Sequence, residues 1–319
     1  MSKPTHIHDY FFKIFFQILE LAREHIEDYL PKSIVQHFNL STLALDQTVY
    51  VNALRETRSD VVYGCQFNND VPFRLALLDE HKSELPERDV RFQAVCYKNG
   101  IWQTDLAQGR APTFVFPSVI YHGRKDWVKH PFNASFPGLP TELLPYLAEF
   151  DYWLTNLRAL TDEDVLSRSK GKIIASAFLT MRHAFQPKYL KQNFAKVVNF
   201  DWQNYSQQTW QLFVKELLNY IYNLAIFSRK EFEEAAKPLP PQLNHFAMYT
   251  MQSILEEGKE LGAKAEALRR DRKFVISLLT EVPEWTDDKI ANLAGTTKAF
   301  VARIRKELKA KSNQQIIMP

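Results

Sequence analysis

The feature that most constrains the fold is a nearly continuous apolar run, Phe73 to Leu78, that ends directly at acidic residues. A polar turn, Asn68-Asn69-Asp70, precedes the run, and Asp79-Glu80 follows it. Such a run is typical of a strand that is buried on both faces of a sheet. Because both faces of that strand need apolar partners, we predict a mixed α/β core whose central sheet is covered by helices.

The periodicity of apolar residues predicts the remaining elements. The predicted strands are Asp60–Phe67, Pro72–Glu80 and Pro112–Tyr121. A helix is predicted over Tyr10–Leu30, with Asp9 as its N-cap, and another over Glu87–Trp102, with irregular chain over Pro31–Asn52. Beyond Pro140 the strand signals fade, and helices are predicted over Leu143–Leu160, Lys172–Ala184, Trp210–Phe227 and Asn244–Leu268, followed by a helix pair, Trp285–Lys309, that turns at Gly295. We therefore divide the chain into a core, residues 1–140, a helical region, 141–270, and a basic helix pair, 271–319.

Composition excludes several classes of protein. Hydrophobic residues make up 45% and charged residues 24% of the 319 residues, which is ordinary for a globular protein and argues against a disordered one. Two cysteines are too few for a disulfide scaffold or a Cys-rich zinc module, and they suit a reducing compartment. No apolar run approaches the roughly 18 residues that span a bilayer. We expect a soluble, cytoplasmic protein without a membrane partner.

Three polar residues stand at the ends of two predicted strands. Asp60 opens the first of these strands, and Glu80 and Lys82 close the second. Residues i and i+2 of a strand point to the same face, so Glu80 and Lys82 would emerge side by side. If the two strands pair, Asp60 would lie near Glu80.

This combination would suit a metal-dependent site for phosphodiester hydrolysis. Asp60 and Glu80 would bind a hard cation such as Mg²⁺, and the backbone carbonyl of His81 could supply a further ligand. The metal would polarise the phosphate and lower the pKa of a bound water. Lys82 would orient or deprotonate that water and stabilise negative charge in the transition state. Taken singly, these residues are typical of surface charges; their position at the end of a buried strand favours a site.

Gln93 and Tyr97 lie on the predicted helix that follows. They are spaced i and i+4, so they share one face of that helix. Both could point toward the phosphate backbone or toward Lys82. The alternative is an ordinary helix face with a half-buried tyrosine.

These motifs carry a resemblance to a known group of proteins. Asp60, Glu80-x-Lys82 and Gln93-x-x-x-Tyr97 resemble the active-site pattern of the PD-(D/E)XK nuclease superfamily, and the Gln-x-x-x-Tyr helix is similar to its RecB-like branch. The flanking motifs resemble the Rpn family of recombination-promoting nucleases or putative transposases. Those motifs are His8-Asp9-Tyr10-Phe11-Phe12-Lys13, Tyr29-Leu30-Pro31, Leu40-Ser41-Thr42-Leu43, Arg58-Ser59-Asp60-Val61-Val62-Tyr63, Glu80-His81-Lys82-Ser83 and Pro117-x-x-x-Tyr121-His122-Gly123. The resemblance covers about Thr5 to Trp127.

The resemblance implies a bacterial DNA endonuclease that uses a divalent metal and is linked to recombination. Its fold would be a restriction-endonuclease-like core of helix, central mixed sheet and helix, followed by a mostly helical C-terminal half. The chain has Lys82 where the family commonly has glutamine, and His122 where it commonly has asparagine. Ser59 stands before Asp60, where the superfamily pattern has proline. Lys82 restores the lysine of the superfamily, which favours activity.

A few further residues are secondary candidates. The resemblance implies that Glu20 or Glu24 could add an acid from the first helix, as nucleases of this superfamily often do, although a solvated helix face is the ordinary alternative. His6 and His8 have no Cys partners for zinc, which favours a role at the helix start. For His122 we favour a turn histidine over a site residue, and for Cys96 a buried core thiol.

The last helix pair has the spacing of a helix-turn-helix. Ile290-Ala291, Gly295, Val301 and Ile304 would pack its two helices together. The second helix is strongly basic and is where contacts to DNA phosphates would be expected. The candidate DNA-binding residues are Lys298, Arg303, Arg305 and Lys306. A plain helical hairpin with a solvated basic face is the alternative.

Two functions from different classes remain open. One is a metal-dependent DNA endonuclease in which Asp60 and Glu80 hold the metal and Lys82 activates water. The other is a non-catalytic DNA-binding or interaction protein that uses the basic helix pair on a nuclease-like scaffold. A homodimer is an expectation for the nuclease, because many double-strand-cutting nucleases pair two active sites.

Overall fold

The computed structural model describes residues 7–46, 61–80, 89–147 and 150–316, with the backbone alone at residues 77–80, 257–265 and 309–316. The chain divides into two compact units, a larger one within Ser2–Thr250 and a smaller one within Met251–Pro319. The larger unit contains a five-stranded sheet, and the smaller unit is helical.

The sheet is mixed, with its strands in sequential order across it. The strands are β1 (Phe38–Leu45), β2 (Val61–Phe67), β3 (Pro72–Glu80), β4 (Phe114–Tyr121) and β5 (Trp153–Asn156). The pairs β1–β2 and β2–β3 are antiparallel, whereas β3–β4 and β4–β5 are parallel. β2 and β3 form a hairpin in which Asp70 adopts a positive φ of 64°, a conformation that aspartate tolerates in turns.

Helices cover both faces of this sheet. The helices before β4 are α1 (Ile7–Gln17), α2 (Leu19–Tyr29), α3 (Lys32–Val35) and α4 (Val90–Ala107). α4 connects the parallel strands β3 and β4 and packs Ile101 against Val62, Ala76 and Val115. On the opposite face, the Tyr63 hydroxyl donates to the Phe16 carbonyl oxygen at the end of α1. The predicted α/β core with a covered central sheet is therefore confirmed.

The rest of the larger unit is helical and packs on α1 and α2. Its helices are α5 (Asp162–Ser169), α6 (Ile173–Arg182), α7 (Pro187–Gln192), α8 (Phe194–Val198), α9 (Gln207–Leu224) and α10 (Arg229–Ala236), followed by α11 (Pro241–Glu281), which continues into the smaller unit. Phe11 of α1 stacks on Tyr220 of α9, with ring centroids 3.7 Å apart. His25 of α2 is fully buried between the sheet and α6, and its Nε2 lies 3.1 Å from Thr155 Oγ1 of β5. Burial lowers the pKa of His25 to about 3, so its imidazole is neutral at pH 7.

The smaller unit joins the end of α11 to α12 (Asp287–Ala294) and α13 (Lys298–Ile316). A buried apolar cluster holds these three helices together, and its members are Val275, Leu279, Ile290, Ala291, Val301 and Ile304. Gly295 ends α12 in the left-handed conformation, with φ 62°, as is common for glycine after the last turn of a helix. The predicted helix pair with a turn at Gly295 is confirmed.

Three of the predicted elements are wrong. The helix predicted over Tyr10–Leu30 is broken at Ile18, whose ψ of 108° is extended, and Asp9 lies inside the first turn of α1 instead of capping it. The segment predicted as irregular, Pro31–Asn52, contains α3 and β1. β1 was missed because its register shifts between Asn39 and Ala44, which interrupts the two-residue alternation of a strand.

The third error concerns the predicted helix Leu143–Leu160. This segment contains a 3-10 turn, Thr141–Tyr146, and then the edge strand β5. Pro145 lies within the turn and disfavours an α-helix there. The four residues of β5 are too few to display an alternation, so only the hydrogen-bonded ladder with β4 reveals the strand. The sheet thus continues beyond residue 140; the division at residues 140 and 270 stays a prediction.

None of the helices in the described ranges has both the length and the apolar character needed to cross a bilayer.

The turn between α12 and α13 generates a test of stability. Gly295→Ala should lower the free energy of unfolding of the smaller unit by about 1 kcal/mol, because the left-handed conformation costs a residue with a Cβ roughly that much. Steric overlap adds nothing, since no described atom lies within 4 Å of the added Cβ. Urea denaturation of the full chain measures the change. Gly295→Asn is the control, because asparagine tolerates this conformation; an equal loss for both variants would contradict the conformational explanation.

Candidate active site at the carboxyl end of the sheet

Three parallel strands end side by side. Glu80 of β3 pairs in register with Tyr121 of β4, and Tyr121 pairs with Asn156 of β5. β2 runs in the opposite direction, and its first residue, Val61, pairs with Leu77. We call this region, where β3, β4 and β5 end and β2 begins, the carboxyl end of the sheet. Neighbouring strands lie about 4.8 Å apart, so their terminal backbones are close together.

The structure describes only part of the predicted site. Asp60, His81 and Lys82 lie outside the described residues, and Glu80 is described by its backbone alone. Glu80 is the last residue of β3, as predicted from the sequence. Within the described ranges, no group of three or more His, Cys, Asp or Glu side chains could hold a metal ion. The predicted ligands are outside that search, so the metal site stays a prediction.

The register nevertheless assigns a face to Glu80. Its neighbour Tyr121 lies on the same side of β4 as Val119, two residues earlier, and Val119 packs against Tyr97 of α4. In-register neighbours on adjacent strands share a face. Position 80 is therefore on the face of the sheet that α4 covers. Val62 of β2 also contacts α4, through Ile101. The alternation of side chains along β2 therefore places its even-numbered residues on this face.

Gln93 and Tyr97 lie in the first half of α4, which starts from the carboxyl end of the sheet. Tyr97 is 1% exposed and packs with Val90, Ala94 and Val119, whereas Gln93 is half-buried. The Asp89 side chain caps α4 by accepting a hydrogen bond of 2.9 Å from the Arg91 amide. Burial raises the pKa of Asp89, but hydrogen bonds from Arg91 outweigh burial and hold this pKa below its usual value. The cap at Asp89 and the apolar contacts of Tyr97 together fix which face of α4 packs on the sheet.

The structure describes the contacts and the burial of three secondary candidates, His8, Cys96 and His122. His122 directly follows β4, is 2% exposed, and has its ring centroid 5.4 Å from that of His8. His8 Nδ1 lies 2.5 Å from the Tyr220 hydroxyl, which connects the start of α1 to α9. The prediction that Cys96 is a buried thiol is wrong: Cys96 is exposed, because it lies on the side of α4 that faces away from Ala94 and Tyr97. His6 lies outside the described residues.

Glu24 faces the helical region and is buried. Its Oε2 accepts a hydrogen bond of 3.0 Å from the Ile174 amide at the start of α6, and its Oε1 accepts one from the Tyr205 hydroxyl. Burial raises the pKa of Glu24 to about 7, against the lowering effect of the hydrogen bonds from Tyr205 and Ile174. These partners explain its burial as a cap of α6. Glu20 is half-buried and accepts a long hydrogen bond of 3.4 Å from Thr209.

The basic residues of α13 divide into two groups. Arg305 is half-buried, pairs with Asp287 at 2.8 Å, and donates to two backbone carbonyl oxygens of the loop between α11 and α12. Lys298 pairs with Asp288 at 2.7 Å on the surface. Arg303 and Lys306 are exposed, and neither forms an ion pair with a described residue. Arg305 therefore stabilises the unit, while Arg303 and Lys306 present free charge to solvent.

Comparison with known proteins identifies the family. A family model described as "Putative transposase, YhgA-like" matches residues 6–212, which is more than half of the chain and includes the whole sheet. The chain belongs to this family. Membership in the YhgA-like family confirms the resemblance to the Rpn family that the sequence motifs predicted. No solved structure matches the chain.

A curated relative supports the same family. The chain is 24% identical over 285 residues to a protein of Escherichia coli strain K12 named "Inactive recombination-promoting nuclease-like protein RpnE". The alignment covers 88% of this chain and 92% of the relative, so the two proteins are similar almost throughout their lengths. The YhgA-like family is thus linked to recombination and to transposase-like proteins, while the relative is named as an inactive member.

The buried Glu24 generates a prediction on pH. Its pKa of about 7 in the folded protein is above the ordinary value of 4.5, so the folded state keeps a proton that the unfolded state loses. The stabilisation is complete below pH 4.5 and is lost as the pH rises through 7. In the wild type, Glu24 should lower the unfolding free energy by up to about 3 kcal/mol between pH 4.5 and pH 8. Glu24→Gln has no carboxyl group at this position, so this part of the pH dependence should be absent from the variant.

Urea denaturation across this pH range measures the difference between the two proteins. Glu27→Gln, an exposed glutamate on the same helix, is the matched control and should leave the pH profile of the wild type unchanged. If Glu24→Gln also kept the wild-type profile, the shifted pKa would be contradicted.

Proposed function

We propose that the protein is a metal-dependent endonuclease that hydrolyses phosphodiester bonds of DNA in recombination or in the movement of mobile elements. The main observation in support is the register of the sheet. It aligns the end of β3, where Glu80 stands, with the ends of β4 and β5 and the start of β2, on the face that α4 covers. Membership in a family of recombination-linked, nuclease-like proteins supports the same proposal.

The proposed metal ligands are Asp60, Glu80 and the backbone carbonyl of His81. Asp60 directly precedes β2 in the sequence, and Glu80 ends β3, the strand that pairs with β2. Carboxylate and carbonyl oxygens suit Mg²⁺ or another hard divalent cation. Such an ion, when bound, polarises the phosphate and lowers the pKa of a coordinated water. Lys82 would orient or deprotonate that water and stabilise charge on the phosphate.

Gln93 and Tyr97 would support this site from α4. The buried ring of Tyr97 fixes the rotation of the helix about its axis, because it packs with Ala94 against Val119. Gln93 lies one turn nearer to the carboxyl end of the sheet and is half-buried. We propose that Gln93 contacts Lys82 or the DNA backbone and that Tyr97 acts mainly by positioning.

The name of the relative from Escherichia coli states that it is inactive, so activity of this chain is a separate question. Asp60, Glu80 and Lys82 are all present in this sequence. A decayed site would tend to lose one of them, because selection would no longer maintain two carboxylates and a cation at that spacing. We therefore propose a competent site in this chain.

A second candidate function is a non-catalytic protein that binds DNA through its smaller unit. The observation that favours it is the packing of α12 and α13 around the left-handed Gly295, with a buried apolar cluster and exposed basic residues on the second helix. This is the arrangement by which a helix-turn-helix presents its second helix to the major groove. Binding by this unit is compatible with catalysis by the larger one.

The nuclease proposal predicts the behaviour of a single carboxylate variant. Asp60→Asn should reduce Mg²⁺-dependent nicking of a plasmid by at least about 100-fold, because it weakens the proposed metal site while keeping the side-chain shape. The measurement is nicking with and without chelator, beside circular dichroism and melting to show an intact fold. Lys82→Ala should give a comparable loss.

Asp70→Asn is the matched control for that assay. It removes the same charge from the opposite end of the β2–β3 hairpin, at a positive φ that asparagine accepts. We expect nicking at the wild-type rate. Equal nicking by the wild type and Asp60→Asn would contradict the assignment and indicate a contaminating nuclease.

The DNA-binding candidate predicts a separate effect. Replacing both Arg303 and Lys306 with glutamine should weaken binding to duplex DNA and lower the slope of log affinity against log salt by about 2, since each residue would neutralise one phosphate. Lys230→Gln, an exposed lysine on α10, is the control for charge loss alone. Unchanged affinity and slope in the double variant would exclude this surface of α13 as a DNA contact.

A further inference from the structure

A cleft beside the end of β4 collects three arginines. Its volume is about 290 Å³, and its lining includes Arg124, Arg158 and Arg182 together with Asp126, Phe185 and Gln186. The lining residues hold three positive charges against one negative charge. We call this region the arginine cleft. It lies wholly within the larger unit.

The arginine cleft is built on the carboxyl end of the sheet. Arg124 stands three residues after Tyr121, the last residue of β4, and Arg158 stands two residues after Asn156, the last residue of β5. The Leu157 amide donates a hydrogen bond of 2.8 Å to the Tyr121 carbonyl oxygen, which keeps the two strand ends together. Glu80 is in register with Tyr121, so its backbone lies about one strand spacing, or 4.8 Å, from the strand end that leads into the cleft.

Arg182 forms the fixed wall of the cleft. Its guanidinium donates to the carbonyl oxygens of Leu157 and Arg158, at 3.0 and 3.1 Å, and to Asp162 Oδ1 at 3.1 Å. Arg182 shares the negative charge of Asp162 with other groups. The side chains of His183, Tyr189 and Lys196 also donate hydrogen bonds to the Asp162 carboxylate. Burial opposes ionisation of Asp162, but these donors outweigh burial and hold its pKa well below the usual range.

The other two arginines are available to a ligand. The Arg124 guanidinium lies over the Phe185 ring, 4.6 Å from its centroid, and forms no ion pair with any described residue. Arg158 pairs with Asp126 at 2.7 Å, but both side chains are exposed, at 42% and 83%. Such surface pairs contribute little free energy and exchange readily for a stronger anion. Stacking on Phe185 restricts Arg124 without using its hydrogen-bond donors.

We propose that the arginine cleft binds phosphate groups of the DNA backbone beside the phosphodiester that is cut. This inference rests on the proposed function, which supplies DNA as the substrate. Guanidinium groups suit phosphate because their planar donors match two of its oxygens. The cleft has the excess positive charge that such binding needs. It lies where a DNA strand would pass if it ran along the carboxyl end of the sheet. It would thus orient the DNA over the position of Glu80.

The test measures DNA binding without cleavage. Duplex binding is followed by fluorescence anisotropy in the presence of chelator, with the full chain and with Arg124→Gln, Arg158→Gln and the double variant. The double variant should bind about tenfold more weakly, and the slope of log affinity against log salt should fall by about 2, one for each lost phosphate contact. Melting should be unchanged, because both side chains are exposed.

Arg229→Gln is the matched control for Arg158→Gln. It also breaks an exposed ion pair, with Glu233, on α10, and it should leave affinity and slope at the wild-type values. Wild-type affinity and slope in the double variant would overturn the inference. So would tight binding of inorganic phosphate that depends on Arg124 while duplex affinity does not, because the cleft would then hold a free anion.

The plasmid assay separates failure of this inference from failure of the proposed function. If the wild type does not nick DNA but the double variant loses duplex binding, the arginine cleft stands as a site for DNA phosphates and the nuclease proposal fails. If the wild type nicks DNA and the double variant binds and nicks like it, the nuclease proposal stands and the arginine cleft fails.

Discussion

The hydrogen-bonded ladder between β3, β4 and β5 is the constraint on which the rest of the structure depends. Parallel pairing in one unbroken register makes Glu80, Tyr121 and Asn156 neighbours, although they are far apart in the sequence. A shift of one residue would turn each strand's side chains to the other face and destroy the apolar contacts with α4. The candidate active site and the arginine cleft are therefore products of the same register.

The two faces of the sheet hold that register in different ways. α4 packs apolar side chains, among them Ile101 and Tyr97, on one face. On the other face, polar contacts are added to apolar packing: the Tyr63 hydroxyl donates to the Phe16 carbonyl oxygen, and His25 lies against Thr155. Such contacts allow only one arrangement of the packed elements, because any other arrangement would leave a buried polar group without its partner. That loss costs about 1 to 3 kcal/mol of stability. They fix how α1, α2 and the helical region are placed on the sheet.

The sequence predicted those elements whose pattern is local. The buried strand β3, the preceding strand β2, the helix α4 and the turn at Gly295 each have a composition or a periodicity that needs no partner to be recognised. β1 and β5 were missed because both are edge strands: one has an irregular register and the other has four residues, so pairing rather than side-chain pattern defines them. The break at Ile18 was missed for a related reason, since apolar residues recur at helical spacing on both sides of it.

The candidate site shows the same division between local and long-range information. Glu80 was predicted at the end of its strand because an apolar run stops there, and the structure confirms the strand and its end. No sequence pattern predicts the arginine cleft. Arg124, Arg158 and Arg182 are far apart in the sequence and are brought together only by the ends of two strands and a helix.

The cleft also depends on a group outside its lining. Asp162 would cancel one positive charge if Arg182 were its sole partner, but it receives hydrogen bonds from four side chains at once. Sharing this carboxylate lets Arg182 stay fixed in place while the cleft keeps its excess positive charge. Because the wall is held before a ligand arrives, less conformational entropy is lost when an anion binds than at a free surface arginine. Interior packing in the helical region thereby sets the electrostatics at the carboxyl end of the sheet.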